Sequence, residues 1–280
     1  MSLPTSGWTR LGSGAAAKGA ALICMVGAGE SGKTRLACAA NRAAPDWFGE
    51  KSVYIAIDPE AASLGSVLPA DRNNMEVIAL DSNKDVASQV SSIYSYPWRK
   101  EGFTTVITDT MTVLSQVILA QVTNSGKFSD RHIELGDGIK QPMQGDFLAT
   151  NTLIMSLLRK QLASGLNHIT LFHEQEVRPE PGQPGEPIGG PATVGKASIR
   201  SIVNWYNTVL HIVRRPKKRT QPLAPLEYER VVHTAGHGIW QAKLRTADLT
   251  NPVPEIAMDA DPANVWTKLY NLNNQEMNNV

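Results

Sequence analysis

The feature of this 280-residue chain that most constrains its fold is a glycine-rich octapeptide directly after an apolar run. Residues 27–34 read Gly-Ala-Gly-Glu-Ser-Gly-Lys-Thr and match the pattern G-x-x-x-x-G-K-S/T. The preceding residues 20–26 predict a buried strand, and residues 33–44 predict a helix that Pro45 stops. A strand, a glycine loop and a helix in this order let backbone N–H groups wrap the phosphates of a nucleotide. The octapeptide therefore predicts a phosphate-binding loop, or P-loop, in an α/β protein.

The side chains at the end of the loop have specific expected roles. Lys33 is expected to reach the β and γ oxygens of a nucleoside triphosphate, and Thr34 to offer its hydroxyl group to Mg²⁺. The alternative is a glycine-rich turn that binds nothing. The residues predicted to bind the nucleotide are Gly27, Ala28, Gly29, Glu30, Ser31, Gly32, Lys33, Thr34 and Arg35.

Two carboxylates outside the loop are candidates for the remaining chemistry. Asp109 ends the β-rich run 103–109, where it can hold Mg²⁺; alternatively, it caps the next helix. Residue 110 is Thr, so no second carboxylate follows Asp109 to activate water. Glu60 follows the strand predicted at 53–57, and ligands of α/β folds bind at the carboxyl edge of the sheet. Glu60 is therefore the candidate base for the attacking water, with a solvated loop glutamate as the alternative.

Hydrophobic patterning extends the α/β prediction along the chain. Short β-rich runs alternate with helical patterns, which is typical of a parallel sheet with helices on both faces. Further strands are predicted at 53–57, 76–80, 104–107 and 169–172, and further helices at 84–95, 111–122 and 147–164.

The last third of the chain predicts a different arrangement. Three β-rich runs with a turn at 235–238 would add an antiparallel hairpin to the edge of the sheet. These runs are residues 207–213, 228–234 and 238–244.

Two long segments and the chain ends complete the predicted organisation. The segments 123–146 and 178–198 are expected to form no regular element, because the first is polar with several glycines and the second is rich in Pro and Gly. We predict one core at residues 1–250 that includes an N-terminal extension at 1–19. A helix near 262–271 and an Asn-rich tail make up the separate C-terminal part, residues 251–280.

Composition disfavours several other classes of protein. The chain has 27 Lys and Arg against 26 Asp and Glu, which argues against both a generally basic nucleic-acid coat and an acidic disordered tail. Cys24 and Cys38 are too few for a disulfide framework, and no His lies beside a Cys at the spacing of zinc ligands. No apolar run approaches the ~20 residues of a membrane-spanning helix. We therefore expect a soluble, cytoplasmic protein without a membrane partner.

The P-loop, the Glu60 carboxylate after the next strand and Asp109 without a following glutamate resemble the RecA-like ATPases. Residues 230–234 and 240–245 look like the closing strands of small phage-encoded RecA-like ATPases, the single-strand annealing proteins of the Sak type. The second of these segments, Trp-Gln-Ala-Lys-Leu-Arg, is also similar to the Lys-x-Arg strand of DnaB-type hexameric helicases. The resemblance covers residues 20–245 and implies a RecA-like ATPase core that uses ATP and Mg²⁺.

The resemblance also implies a site shared between subunits. Lys243 and Arg245 would reach the γ-phosphate bound by the neighbouring subunit of a homo-oligomer, either a ring or a filament. Residues i and i+2 of a strand share a face, so both cations can point the same way. The alternative is a surface strand with two solvated cations. His173 and Glu174 are the counterparts of the residues that sense the γ-phosphate in the family, unless His173 is a satisfied structural histidine.

Five cations within residues 214–219, here called the basic cluster, are the candidate contact with nucleic acid. Local positive charge on a near-neutral protein suits a phosphate backbone, whereas cations at hairpin tips are commonly only solvated. The segments 123–146 and 178–198 fall where RecA-like proteins carry their DNA-facing loops. The basic cluster consists of Arg214, Arg215, Lys217, Lys218 and Arg219.

These features together predict a phage-type RecA-like ATPase that binds single-stranded DNA and supports annealing or recombination. ATP would be hydrolysed at subunit interfaces. Such a protein would work in the host cytoplasm, with phage or host recombination and replication proteins as candidate partners. The first alternative is an ATP-driven translocase, either a helicase or a packaging motor. The second is a nucleotide-gated scaffold that does not hydrolyse ATP.

Overall fold

The computed structural model describes residues 20–57, 60–128, 132–136, 138–179, 185–195, 198–217, 226–244 and 253–275. Strands and helices alternate over most of this part of the chain. The strands are β1 (Leu22–Gly27), β2 (Lys51–Ile57), β3 (Met75–Leu80), β4 (Phe103–Asp109), β5 (Glu134–Gly136), β6 (Ile139–Lys140), β7 (Asn167–Val177), β8 (Ile188–Pro191), β9 (Thr208–Pro216), β10 (Tyr228–His233) and β11 (Glu255–Met258).

The described helices lie between strands, except for the last one, which follows β11. They are α1 (Lys33–Cys38), α2 (Ala40–Ala43), α3 (Pro45–Phe48), α4 (Pro69–Arg72), α5 (Val86–Ser95), α6 (Met111–Ser125), α7 (Gln144–Ser164), α8 (Ser198–Trp205) and α9 (Ala263–Gln275). Two 3-10 helices cover Glu60–Ser66 and Trp98–Glu101.

β1, the strand that leads into the P-loop, lies in the interior of the main sheet. The strand order is β11-β10-β9-β1-β7-β4-β2-β3, and β8 pairs with β7 outside this path. The six strands from β9 to β3 in this order are parallel, whereas β10, β11 and β8 pair in the antiparallel sense. The predicted α/β class with a mostly parallel sheet and antiparallel strands at one edge is confirmed.

Both faces of β1 are buried, which is why its sequence is apolar at every position instead of alternating. Cys24 and Val26 face a core formed with α5, α6, α7 and α8. Ile23 and Met25 face a second core formed with α1, α2, α3 and α9. The helices on the two faces exclude water from β1, so the chain turns to solvent just after the strand ends at Gly27, at Ala28.

Several predicted elements differ from the structure. The helix predicted at 33–44 is divided into α1 and α2, and Pro45 opens α3 at a first-turn position that tolerates its missing N–H. The two segments expected to lack regular structure contain the β5–β6 hairpin and β8.

The strand predicted at 238–244 is wrong. Within the described residues, this segment makes only isolated bridges, and β11 supplies the antiparallel partner of β10. β11 occupies the edge position next to β10, where Ile256 packs on the apolar face of the sheet and is buried.

The C-terminal helix packs on the second core. Trp266 of α9 is fully buried, lies against Phe48 and donates a hydrogen bond from Nε1 to the Leu36 carbonyl oxygen at 2.6 Å. Arg42 of α2 contacts Asp261 just before α9 at 2.7 Å. The predicted division of the chain at residue 250 stays a prediction.

None of the helices in the described residues combines the length and the apolar character needed to cross a membrane.

Replacing Trp266 with Ala should destabilise the whole sheet domain, because the change leaves a large cavity beside Phe48 and removes the hydrogen bond to Leu36. We expect a loss of about 3–5 kcal/mol in the free energy of unfolding, measured by urea denaturation. Lys268→Ala, an exposed change on the same helix, is the matched control. Unfolding of the Trp266 variant at the wild-type urea concentration would mean that α9 is an independent appendage.

Candidate nucleotide-binding site

The P-loop leaves β1 through backbone conformations that suit glycine. Gly32 has φ +98°, and Glu30 also adopts a positive φ of 61°. A Cβ atom at Gly27 would lie 2.4 Å from the backbone oxygen of Ile212, so β9 and the start of the loop approach more closely than any side chain allows. A Cβ atom at Gly29 would meet nothing within 4 Å, which leaves the outer side of the loop open.

Lys33 lies across the inside of the loop. Its side chain is buried, at 6% exposure, and its ammonium donates to the carbonyl oxygens of Gly27 and Ala28 at 2.8 and 2.7 Å. Ser31 Oγ is 3.4 Å from the same nitrogen. The loop carbonyl oxygens thus satisfy the buried Lys33 ammonium, which lies at the centre of the predicted phosphate site.

Asp109 meets Thr34 at the carboxyl edge of the sheet. Thr34 Oγ1 donates to Asp109 Oδ2 at 2.7 Å. Tyr54 on β2 donates to the same carboxylate oxygen at 2.5 Å, and Ser63 donates to it at 3.3 Å. Burial is the main cause that raises the pKa of Tyr54, and the charge of Asp109 and its hydrogen bond raise it further. Three hydroxyl groups therefore fix one buried carboxylate beside the P-loop.

The alternative role of Asp109 as a helix cap is not supported. The peptide bond between Asp109 and Thr110 is cis. Thr110 is the N-cap of α6, and its hydroxyl oxygen accepts a hydrogen bond from the Val113 N–H at 3.3 Å. Because Thr110 caps the helix, the Asp109 carboxylate is left available to the P-loop side of the sheet.

The other candidate carboxylate, Glu60, begins the 3-10 helix Glu60–Ser66. Residues 58 and 59 and the Glu60 side chain lie outside the described part of the chain. Ser63 of the same 3-10 helix contacts Asp109, so this helix reaches the site. The base role of Glu60 stays a prediction.

The proposed γ-phosphate sensors lie within β7, beside the end of β1. His173 is opposite Gly27 in the parallel pairing of β7 with β1, and its backbone N–H donates to Thr112 Oγ1 at 3.0 Å. Glu174 follows, and its carboxylate accepts from His211 Nε2 at 3.0 Å. Both residues are therefore placed at the start of the P-loop.

Lys243 does not lie on a hairpin strand. Its backbone N–H and C=O both bond to Val209 of β9, at 2.9 and 2.8 Å. This single bridge places Lys243 beside β9. Arg245 lies outside the described residues, so the predicted pairing of the two cations stays a prediction.

The described members of the basic cluster each contact a carboxylate. The pairs are Arg214 with Glu30 at 3.1 Å, Arg215 with Glu229 at 2.7 Å and with Glu255 at 3.1 Å, and Lys217 with Glu227 at 3.0 Å. These ion pairs reduce the net positive charge that the cluster presents to solvent. Lys218 and Arg219 lie outside the described residues.

A pocket of about 320 Å³ adjoins the P-loop at the edge of the sheet. Arg230 of β10 and Met258 of β11 line it, and both side chains lie against Gly32. Arg35, which follows the P-loop, lines the other side and donates to the Ala260 carbonyl oxygen at 2.6 Å. The pocket thus continues from the predicted phosphate site.

Sequence reasoning missed four groups of this site. Tyr54 and Ser63 hold Asp109, Arg230 lies on Gly32, and His211 holds Glu174. The only signal in the sequence is a polar side chain within an apolar strand run, as at Tyr54 and His211.

The residues present fit Mg²⁺ and a nucleotide. A buried carboxylate next to a hydroxyl offers the oxygen ligands that Mg²⁺ prefers. The open side of the loop at Gly29 and the buried ammonium of Lys33 suit an anionic phosphate chain. Sheet and loop together define the class of the protein as a mostly parallel α/β fold with a P-loop after β1.

No protein-family model and no curated protein matches the chain. Among solved structures, 276 chains match it. One is a KaiC-like protein from the hyperthermophilic archaeon Pyrococcus horikoshii OT3, which is 11% identical, with 86% of each chain covered and a TM-score of 0.48. The assignment to the α/β class with a P-loop therefore rests on the chain's own sheet and loop.

Asp109→Asn should weaken the Mg²⁺-dependent part of nucleotide binding, because a neutral amide is a poorer ligand for a hard cation. We expect the gain in ATP affinity on adding Mg²⁺ to shrink about tenfold, or about 1.4 kcal/mol. Titrations with and without a chelator measure this gain. Asp85→Asn, which keeps a good N-cap on α5, should behave as wild type. An unchanged gain in the Asp109 variant would assign the metal to another carboxylate.

Proposed function

We propose that this protein is an ATPase of the RecA-like class. The observation that carries the proposal is the 2.7 Å contact of Thr34 with Asp109, next to the buried Lys33. A hydroxyl and a lysine of the P-loop converge there with a carboxylate from the end of β4. This combination supports binding of a nucleoside triphosphate with Mg²⁺.

Each side chain of the site has a role in the proposed reaction. Bound Mg²⁺ would neutralise charge on the β and γ phosphate oxygens. Thr34 and Asp109 would hold the metal, and Lys33 would move from its loop carbonyls to the phosphate oxygens. Tyr54 and Ser63 keep the Asp109 carboxylate in one orientation, so little rearrangement is needed during the reaction. Glu60 is the proposed base for the attacking water.

The pocket beside Gly32 is the proposed place for the nucleoside part of ATP. It begins at Arg35, directly after the P-loop, which is where the rest of the nucleotide must extend. Its volume of about 320 Å³ suits a small ligand. Tyr228 presents a half-exposed ring to it, although the Arg214 guanidinium also lies over that ring at 4.5 Å.

Lys33→Ala should greatly slow ATP turnover while the protein stays folded, because the buried ammonium contacts loop carbonyls. We expect a fall in kcat of about 10²- to 10³-fold. Phosphate release and the circular dichroism spectrum measure the two quantities. Lys100→Ala, an exposed change far from the P-loop in sequence, is the control. Turnover at the wild-type rate by the Lys33 variant would contradict the ATPase proposal.

We further propose that Lys243 and Arg245 complete the site of a neighbouring subunit. Their support is the resemblance to family members with a Lys-x-Arg segment, together with the bridge that fixes Lys243 to β9. A cation supplied from a second subunit stabilises the charge that builds up on the transferred phosphoryl group.

Mixing two inactive variants tests this arrangement. Arg245→Ala should bind ATP normally but turn it over about 10³-fold more slowly, and Glu60→Gln should bind ATP but hydrolyse it slowly. A mixture should regain activity, because some interfaces then pair an intact Glu60 with an intact Arg245. The rate per subunit of the wild type should also rise with protein concentration. An inactive mixture with a concentration-independent wild-type rate would place the whole site in one subunit.

Single-stranded DNA is the proposed polymer partner, with annealing or recombination in a phage setting as the proposed role. Its support is the position of the basic cluster beside the P-loop, where Arg214 contacts Glu30 at 3.1 Å. Because the described cations are paired with carboxylates, Lys218 and Arg219 are the proposed phosphate contacts.

The salt dependence of DNA binding measures how many phosphates these two cations neutralise. Replacing Lys218 and Arg219 with Ala should lower the slope of log affinity against log salt by about 0.7 for each phosphate that is no longer neutralised. Lys84→Ala with Lys100→Ala removes the same charge elsewhere and is the control. An unchanged slope would indicate that the basic cluster is only solvated and contacts no phosphate. DNA-stimulated strand separation would favour the translocase alternative, and ATP binding without turnover would favour the scaffold.

A further inference from the structure

A carboxylate and an imidazole meet over the end of β1. His211 on β9 is opposite Val26, and Glu174 on β7 is one residue beyond the position opposite Gly27. These residues come from the two strands that flank β1. His211 Nε2 and Glu174 Oε2 are 3.0 Å apart, with the His211 side chain 2% exposed and the Glu174 side chain 30% exposed. The pair therefore lies where the P-loop begins.

Glu174 belongs to the electrostatics of the P-loop. The hydrogen bond with His211 is the main cause that lowers the pKa of Glu174, and the charge of Lys33 and the backbone N–H of Ala28 lower it as well. Burial opposes these effects. Glu174 is thus an ionised carboxylate beside the proposed phosphate site, where its orientation affects how a phosphate is received.

The other side of the imidazole contacts a turn at residues 235–240. His211 Nδ1 is 3.2 Å from His237 Nε2, and the His211 ring stacks on Trp240 at 4.5 Å. The turn is held in place by a hydrogen bond from the Gly189 N–H to the Ile239 carbonyl oxygen at 2.7 Å. Three residues after Trp240, the chain reaches Lys243. His211 therefore contacts both Glu174 and the segment that leads to Lys243.

The protonation states of these groups fix the direction of the hydrogen-bond chain. An ionised carboxylate only accepts, so His211 Nε2 must carry the proton that it shares with Glu174. With the proton of His211 on Nε2, Nδ1 can accept from His237 Nε2. Burial is the main cause that lowers the pKa of His237 and of His233, the latter to about 4, which favours the neutral form of these two imidazoles at neutral pH.

Other charged groups lie at the far end of the stack. His233 stacks on His237 at 3.6 Å, and Glu255 lies 3.9 Å from His233 Nδ1. Arg215 binds Glu255, so these two charges largely satisfy each other. At the P-loop end, the carboxylate that hydrogen-bonds to His211 is Glu174, and the charge of Lys33 acts on that carboxylate.

We infer that His211 is a positioning residue, which fixes the Glu174 carboxylate beside the P-loop and links it to the turn that leads to Lys243. This inference rests on the proposed ATPase function. A phosphate that displaces Glu174 would change the His211 contact and, through His237, the turn. Contacts through His211 and His237 thus connect the nucleotide site to the segment that is proposed to serve a neighbouring subunit.

Two substitutions of His211 separate its two contacts. Gln can place its amide N–H near the position of Nε2 and keep the bond to Glu174, whereas Asn can reach only the His237 side. We expect His211→Gln to keep kcat within about threefold and His211→Asn to lower it about tenfold, with ATP affinity little changed in both. The same two changes at His168, which is buried near the start of β7, are the control. Both should lower stability, and the two variants should have similar kcat values.

Nitrogen-15 NMR of ring-labelled histidine gives a readout that needs no turnover. The wild type should show His211 as the Nε2–H tautomer, and Glu174→Gln should shift that signal. Equal kcat values for the Gln and Asn variants, or an Nδ1–H tautomer, would overturn the inference. Absent wild-type turnover together with the expected NMR signature would instead refute the ATPase proposal and leave the His211–Glu174 contact intact.

Discussion

The parallel pairing of β1 with β7 on one side and β9 on the other is the constraint on which the site depends. Because helices cover both faces, every residue of β1 is buried, and the chain turns toward solvent just after Gly27. β7 and β9 flank β1, and β4 lies beyond β7, all parallel to β1. Asp109, Glu174 and His211 are therefore brought to the edge of the sheet where the loop begins, as expected for ligand sites of α/β sheets.

Carboxylates in this site are held by donors that belong to the protein. Asp109 accepts from three hydroxyl groups, and Glu174 accepts from an imidazole. Fixed donors hold a carboxylate in one orientation, which prepares the site electrostatically before a ligand arrives. The described cations of the basic cluster are likewise paired with neighbouring carboxylates, which leaves less of their charge for a partner. Charge counted along the sequence therefore overstates the charge available to a partner.

The C-terminal edge shows where sequence patterns fail. Residues 238–244 carry an alternating pattern that predicts a strand, whereas the shorter run that forms β11 gives only a weak signal. In the structure, Val232 pairs with Ile256 across β10 and β11, and Trp240 instead stacks on His211. An edge position goes to the segment with the better apolar fit to the exposed face. That fit depends on residues that are distant in the chain, so a local pattern cannot rank the two candidates.

The sequence by itself determined the P-loop, its strand and helix, and the parallel α/β class, because each is specified by neighbouring residues. Gly27 and Gly32 supply backbone freedom, and the apolar run before them requires burial on both faces. Only the tertiary structure decided which side chains meet at the loop. Thr34 and Asp109 are 75 residues apart, and Glu174 and His211 are 37 apart. Their contacts depend on strand order and register, which arise from the packing of the whole sheet and not from any short stretch of the chain.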